Sequence, residues 1–136
     1  MLLIAVEVRP SAVHGLGVFA REAVPAGTIV WQFDPGIDNR HPLSWLGRQP
    51  EHVRRFVDIY GVLSLDRSEI GIPGDQTLFI NHSPLPNLAP RDEHIVNGES
   101  VVAAARDIAA GEELTIDYAT IAGDCRERAA RGLPLF

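Results

Sequence analysis

The strongest constraint on this chain is the dipeptide Asn97-Gly98, set between His94-Ile95-Val96 and Ser100-Val101-Val102-Ala103-Ala104-Ala105. Both central positions of a tight two-residue turn need positive φ, which asparagine and glycine tolerate, so the flanking runs read as an antiparallel hairpin. A second device occurs twice. Ala20-Arg21-Glu22-Ala23-Val24-Pro25-Ala26-Gly27 is echoed, one residue shorter, by Ala105-Arg106-Asp107-Ile108-Ala109-Ala110-Gly111. Each copy reads as a strand end, an arginine–acid pair, a hydrophobic anchor and a glycine turn into another strand. The runs 2–8, 18–20, 28–33 and 114–118 are rich in β-branched and aromatic residues, and 62–65 and 70–72 read as short extended pieces. Only the stretch 50–60 breaks the pattern. There Val53, Phe56, Val57 and Tyr60 fall at helical spacing, with Pro50 suited to the first turn and Gly61 to the cap. A turn is expected around Ser44-Trp45-Leu46, and a helical turn in 123–131. The expectation is one mostly β domain over residues 1–136, with a helical insertion at 42–65 and a tail from 119 to 136.

Charge narrows the function. The 12 basic side chains, all arginine, meet 18 acidic ones, for a formal charge of −6. That balance argues against direct nucleic-acid binding, which favours a basic face. A single cysteine, Cys125, excludes a disulfide framework and a cysteine-only zinc site, and the five histidines lack metal-ligand spacing, so no metal is expected. The apolar run 2–6 stops at Glu7, far short of the roughly 20 residues that span a bilayer. It also lacks the flanks of a signal peptide, and a cytoplasmic location is expected.

Three segments carry candidate chemistry. Gly15-Leu16-Gly17 would let a ligand lie against backbone groups. In Phe79-Ile80-Asn81-His82-Ser83-Pro84-Leu85-Pro86-Asn87, apolar residues run directly into polar ones that need partners once buried. Gly111-Glu112-Glu113-Leu114-Thr115-Ile116-Asp117-Tyr118 ends a buried run on a tyrosine. Taken singly, each has an ordinary structural reading: a turn, an Asx turn with a surface histidine, and a rim aromatic with a hydrated hydroxyl.

In order and together, the three segments resemble the SET-domain protein-lysine methyltransferases, over roughly residues 4–120. The resemblance implies a β-clip fold of short sheets, with a knot-like crossing that brings Asn81 and Tyr118 together. It implies S-adenosylmethionine as cofactor, held by Gly15, Leu16 and Gly17 through backbone groups and by Asn81 and His82, with Tyr118 as the catalytic tyrosine. The insertion at 42–65 would help to read a lysine-containing, basic protein substrate. Ile116, Tyr60 and Phe136 are candidates for the substrate channel, with Trp31 a further aromatic for its wall.

The sequence departs from the family at several points. Pro84 stands where many members have cysteine, and Leu78 where arginine is common. The cysteine-rich zinc module that often follows the closing tyrosine is missing, so the tail ending in Phe136 is expected to cover the channel instead. Ile116 occupies a position that is commonly aromatic; lacking a hydroxyl, it should not restrict the product to one methyl. Two rival readings stay open. One is a catalytically silent module that binds a peptide or the cofactor. The other is a small β-clip module like those appended to sugar-acid synthases, which leaves Asn81-His82-Ser83 without a role.

Overall fold

The computed structural model describes residues 1–130, and the expected lid residue Phe136 lies outside them. Strands β1 (Val6–Pro10) and β2 (Leu16–Ala20) form an antiparallel hairpin, in register from Val6 against Ala20 to Pro10 against Leu16. The expected strand at 2–8 therefore starts later, and Leu2 makes only a bridge to Trp31. A three-stranded sheet joins β4 (Asn39–Pro42), β5 (Val62–Leu63) and β6 (Glu69–Ile72), with β6 in the middle. Helices α1 (Leu43–Leu46) and α2 (Glu51–Tyr60) lie between β4 and β5 in the chain. The expected turn at 44–46 is thus a short helix of its own. Pro50 caps α2 in extended conformation, where its missing N–H costs nothing.

The main sheet has five strands. It contains β3 (Ile29–Trp31), β7 (Asn81–His82), β8 (Leu88–Val96), β9 (Glu99–Ala104) and β10 (Thr115–Ile116), in the order β3-β9-β8-β10-β7. Asn97 and Gly98 both take positive φ, 53° and 83°, so the β8–β9 turn has the expected chemistry. β8 runs further back than the sequence implies, through Pro90, because Leu88 and Ala89 already pair with Ala104 and Ala103. The run 114–118 keeps only two residues as strand, and Tyr118 opens a 3₁₀ turn, Tyr118–Thr120. A second 3₁₀ turn, Gln76–Phe79, leads into Asn81; the Asp75 side chain caps it by accepting from the Thr77 N–H.

The echoed segments meet each other. The Val24 N–H donates to the Ile108 carbonyl at 2.8 Å, and the Ile108 N–H returns to the Val24 carbonyl at 2.9 Å. Their glycines, Gly27 and Gly111, both turn at φ near +80°. Val24 and Ile108 are buried in one core with Val18, Val30, Leu88, Leu114 and Ile116. The repeated anchor therefore supplies both halves of a single pairing.

The crossing lies at β10. This strand runs parallel to both neighbours and sits between β7 and β8, which are consecutive in the chain. The β7–β8 connection, residues 83–87, therefore straddles the late strand. Two hydrogen bonds fix it there, from the Ser83 N–H to the Ile116 carbonyl at 3.1 Å and from the Thr115 N–H to Asn87 Oδ1 at 2.9 Å. After the crossing, helix α3 (Cys125–Ala130) docks against the insertion.

Candidate active site

Asn81 opens β7 at 2% exposure, beneath the loop that joins β1 to β2. Its Nδ2 lies 3.1 Å from the His14 carbonyl, 3.0 Å from the Leu16 carbonyl, 2.8 Å from Glu113 Oε1 and 3.2 Å from Ser11 Oγ. Two hydrogens face four acceptors, so the amide is the shared centre of a cluster rather than half of one pair. Ser11 completes it by donating to the Glu113 carboxylate at 2.8 Å while accepting from the Val13 N–H at 2.9 Å. The loop backbone is thereby held with two carbonyls and a carboxylate converging on one point.

The two glycines do different work. Gly15 has φ of +47°, and a Cβ there would meet nothing within 4 Å, so its backbone stands open. Leu16 is exposed beside it. Gly17 is buried, and a Cβ would come within 2.2 Å of Glu113 Oε1. The absence of a side chain at Gly17 makes room for a carboxylate of the chain itself.

His82 follows Asn81 and faces the closing segment. Its Nδ1 accepts the Tyr118 backbone N–H at 3.2 Å, so the ring proton sits on Nε2. Asp117 Oδ1, 3.8 Å from Nδ1, is then outside hydrogen-bond range. The two rings of His82 and Tyr118 stand 5.5 Å apart between centroids. The Tyr118 hydroxyl donates to the Ile80 carbonyl, and burial pushes its pKa well above that of an ordinary phenol. The hydroxyl therefore stays protonated throughout the physiological range.

An apolar-walled cavity of about 490 Å³ lies against Ile116 of β10. Ile116, Tyr118, Tyr60, Trp31, Leu78 and Ile80 contribute to its wall. The insertion supplies Ile59, Tyr60, Val62, Ser64 and Leu65, and the segment after the crossing supplies Ala122, Asp124, Cys125 and Arg128. Tyr60 is braced by Phe56, 4.9 Å away, and by Phe79, at 6.3 Å. Among the described residues, six carboxylates line the cavity (Asp38, Asp66, Glu69, Asp92, Glu99 and Asp124), against two guanidinium groups, Arg40 and Arg128. Acidic side chains thus outnumber basic ones in the described lining.

The structure thus divides the candidate residues into two groups. Gly15, Leu16, Gly17 and Asn81 cluster around the β1–β2 loop, His82 faces the closing segment, and none of the five is among the cavity-lining residues, whereas Ile116 and Tyr60 line the cavity. Tyr118 belongs to both, with its N–H on His82 and its ring in the cavity wall. Four residues of the arrangement had no assigned role in the sequence: Ser11, Glu113, Asn87 and Arg128. Glu113 and Asn87 stand inside the quoted motifs, as polar residues beside apolar runs that demand partners once buried. Nothing local marks Ser11 or Arg128.

Comparison with known proteins fits this architecture. The family profile described as SET domain matches residues 15–119. Histone-lysine N-methyltransferase 2B of Homo sapiens is 34% identical over 122 residues, covering 84% of this chain and 4% of that protein. The H3 lysine-4 specific histone-lysine N-methyltransferase of Schizosaccharomyces pombe is 32% identical over 113 residues, covering 80% of this chain and 12% of that protein. The chain therefore spans a small part of these relatives' length. Among solved structures, KRYPTONITE in complex with mCHG DNA and SAH superposes with a TM-score of 0.58 at 30% identity, covering 87% of this chain and 24% of that one. The Neurospora SET domain protein DIM-5, a histone lysine methyltransferase, reaches a TM-score of 0.61 at 22% identity over 86% of this chain and 53% of its own, a likeness of fold.

Proposed function

Because this chain belongs to the SET-domain family, we propose that it transfers a methyl group from S-adenosylmethionine to a lysine side chain of a protein substrate. The observation that carries the proposal is the double role of Tyr118, whose backbone is tied to His82 while its ring lines the cavity. One residue then joins a cofactor side to a substrate side.

The residues fit such a cofactor. Gly15 offers open backbone beside the exposed Leu16, and the His14 and Leu16 carbonyls with Glu113 form an acceptor-rich cluster suited to positive charge. Gly15, Leu16, Asn81 and His82 would hold it, with Gly17 giving Glu113 its place. When bound, S-adenosylmethionine supplies an electrophilic methyl on a sulfonium sulfur, which an uncharged amine can accept in line.

The chain's own work is to align the amine and to favour its uncharged form, the proton passing to bulk water. Lysine in water has a pKa near 10.4, so only about one in a few thousand is neutral at pH 7. Desolvation by Ile116, Tyr60, Trp31 and Ile80 favours the neutral amine and works against the carboxylates of the cavity, which favour the ammonium. Tyr118 remains a phenol, fixed by the Ile80 carbonyl, and positions groups rather than taking a proton. Orientation of this kind supplies a large part of the barrier reduction in a displacement. The excess of carboxylates in the cavity supports a substrate whose lysine lies among other basic residues.

The test is calorimetric titration with S-adenosylmethionine, followed by methyl transfer to a lysine-peptide library with Tyr118→Phe as control. The 136 residues contain no lysine, so methyl-lysine in the product belongs to the substrate or to an expression tag. Binding without transfer would favour the silent-module reading, and no binding would remove both.

A further inference from the structure

We propose that Arg128 is a positioning residue that locks helix α3 onto insertion helix α2, so that two segments remote in sequence form one wall of the substrate cavity. This rests on the methyl-transfer reading for its kinetic consequence, but its structural part stands separately.

Arg128 is buried at 9% exposure and lines the large cavity. On its other side is a small cavity against Leu43, Leu46, Val57 and Leu63 of the insertion. Its Nε donates to Asp124 Oδ2 at 3.0 Å, one turn back along the chain, and its Nη2 donates to the Asp58 carbonyl. Asp58 lies in the last turn of α2, where carbonyls have no partner within the helix and the helix dipole is negative. A guanidinium placed there satisfies an orphan acceptor and meets the dipole with the favourable sign. It is also near enough to Tyr118 to oppose the upward push of burial on the hydroxyl.

A second set of contacts holds the same seam. The Gly123 N–H donates to the Leu63 carbonyl at 2.9 Å, and Arg67 Nη2 donates to the Gly123 carbonyl at 2.7 Å and pairs with Glu127. Gly123 is required by close approach, since a Cβ would lie 2.4 Å from the Ser64 carbonyl. Any side chain there must lift the segment off the insertion. Asp124, Cys125 and Arg128, on the chain side of this seam, contribute to the cavity wall.

The experiment compares the wild-type chain with Arg128→Met, which keeps the apolar stem but removes the donors, and Gly123→Val, which opens the seam without changing charge. Hydrogen exchange should rise in α3 and in the last turn of α2 together in both variants. In steady-state kinetics the peptide KM should rise about tenfold with kcat largely kept, the pattern of lost substrate binding. S-adenosylmethionine affinity by calorimetry should stay within about twofold, since the β1–β2 loop is untouched. Unchanged exchange in α2, an unchanged peptide KM, or an equal loss of peptide and cofactor affinity would each overturn the proposal. If the wild-type chain transfers no methyl, the methyl-transfer reading fails; the exchange data then support or overturn the coupling of α2 and α3 by themselves.

Discussion

Asn87 is the residue on which the crossing can be tested quantitatively. It is 1% exposed and its amide is saturated by the late segment: Oδ1 accepts from the Thr115 N–H at 2.9 Å, and Nδ2 donates to the Glu113 carbonyl at 2.7 Å and to Glu112 Oε1 at 3.2 Å. In Asn87→Ala a backbone N–H and a backbone C=O lose their partners in the interior, each at about 1–3 kcal/mol. The expected loss is therefore about 2–6 kcal/mol, a large fraction of the roughly 5–15 kcal/mol that holds a domain of this size. Urea unfolding followed by circular dichroism reads this as a fall in midpoint with an unchanged slope. Asn87→Asp sharpens the test. An aspartate keeps the acceptor for Thr115 but turns an oxygen towards the Glu113 carbonyl and the Glu112 carboxylate. Burial and like charge raise the folded-state pKa of that aspartate above its unfolded value near 3.9, so its ionisation opposes folding. The deficit relative to the wild-type chain should be smallest below about pH 4 and grow as pH rises past it. An Asn87→Ala stability within about 0.5 kcal/mol of the wild-type value would refute the claim that this amide secures the crossing.

Tyr118→Phe keeps the ring but loses the hydroxyl bonded to the Ile80 carbonyl; methyl transfer should fall at least about a hundredfold, with S-adenosylmethionine affinity by calorimetry nearly unchanged. Ile116 presents no hydroxyl to the cavity, so mass spectrometry of a good peptide substrate should show di- or trimethyl product, and a strictly monomethyl product would contradict this reading. Glu112 is held at a pKa of about 2, chiefly by the Arg106 side chain and then by the Ala109 N–H and Asn87. A depressed carboxylate pKa stabilises the fold above the unfolded value near 4.5, and the effect fades as pH falls towards 2. Acid titration of Arg106→Ala should therefore show a smaller stability loss between about pH 5 and pH 2 than the wild-type chain; an equal loss would remove the ion pair from the account.

The sequence by itself determined whatever depends on neighbours in the chain. Asn97-Gly98 specified its hairpin because positive φ is a property of those residues. The spacing of Val53, Phe56, Val57 and Tyr60 specified α2, and three ordered motifs were enough to point to the SET-domain family. The echo at Val24 and Ile108 was visible as similarity, but that the two copies pair with each other is a fact of the folded chain. The candidate site divides the same way. Gly17, Asn81 and Tyr118 stood out by type and context, whereas their partners did not. Glu113 fills the place of a missing side chain 96 positions away (113 − 17), and Arg128 reaches the Asp58 carbonyl across 70. Hydrogen-bond geometry is decided over about 3 Å of space and carries no trace in residue order. A strand threaded between two earlier ones leaves no periodicity, because β10 is only two residues long and its partners are parallel and remote. Local propensity sets which pieces form; burial and the need to satisfy every buried polar group decide where they cross.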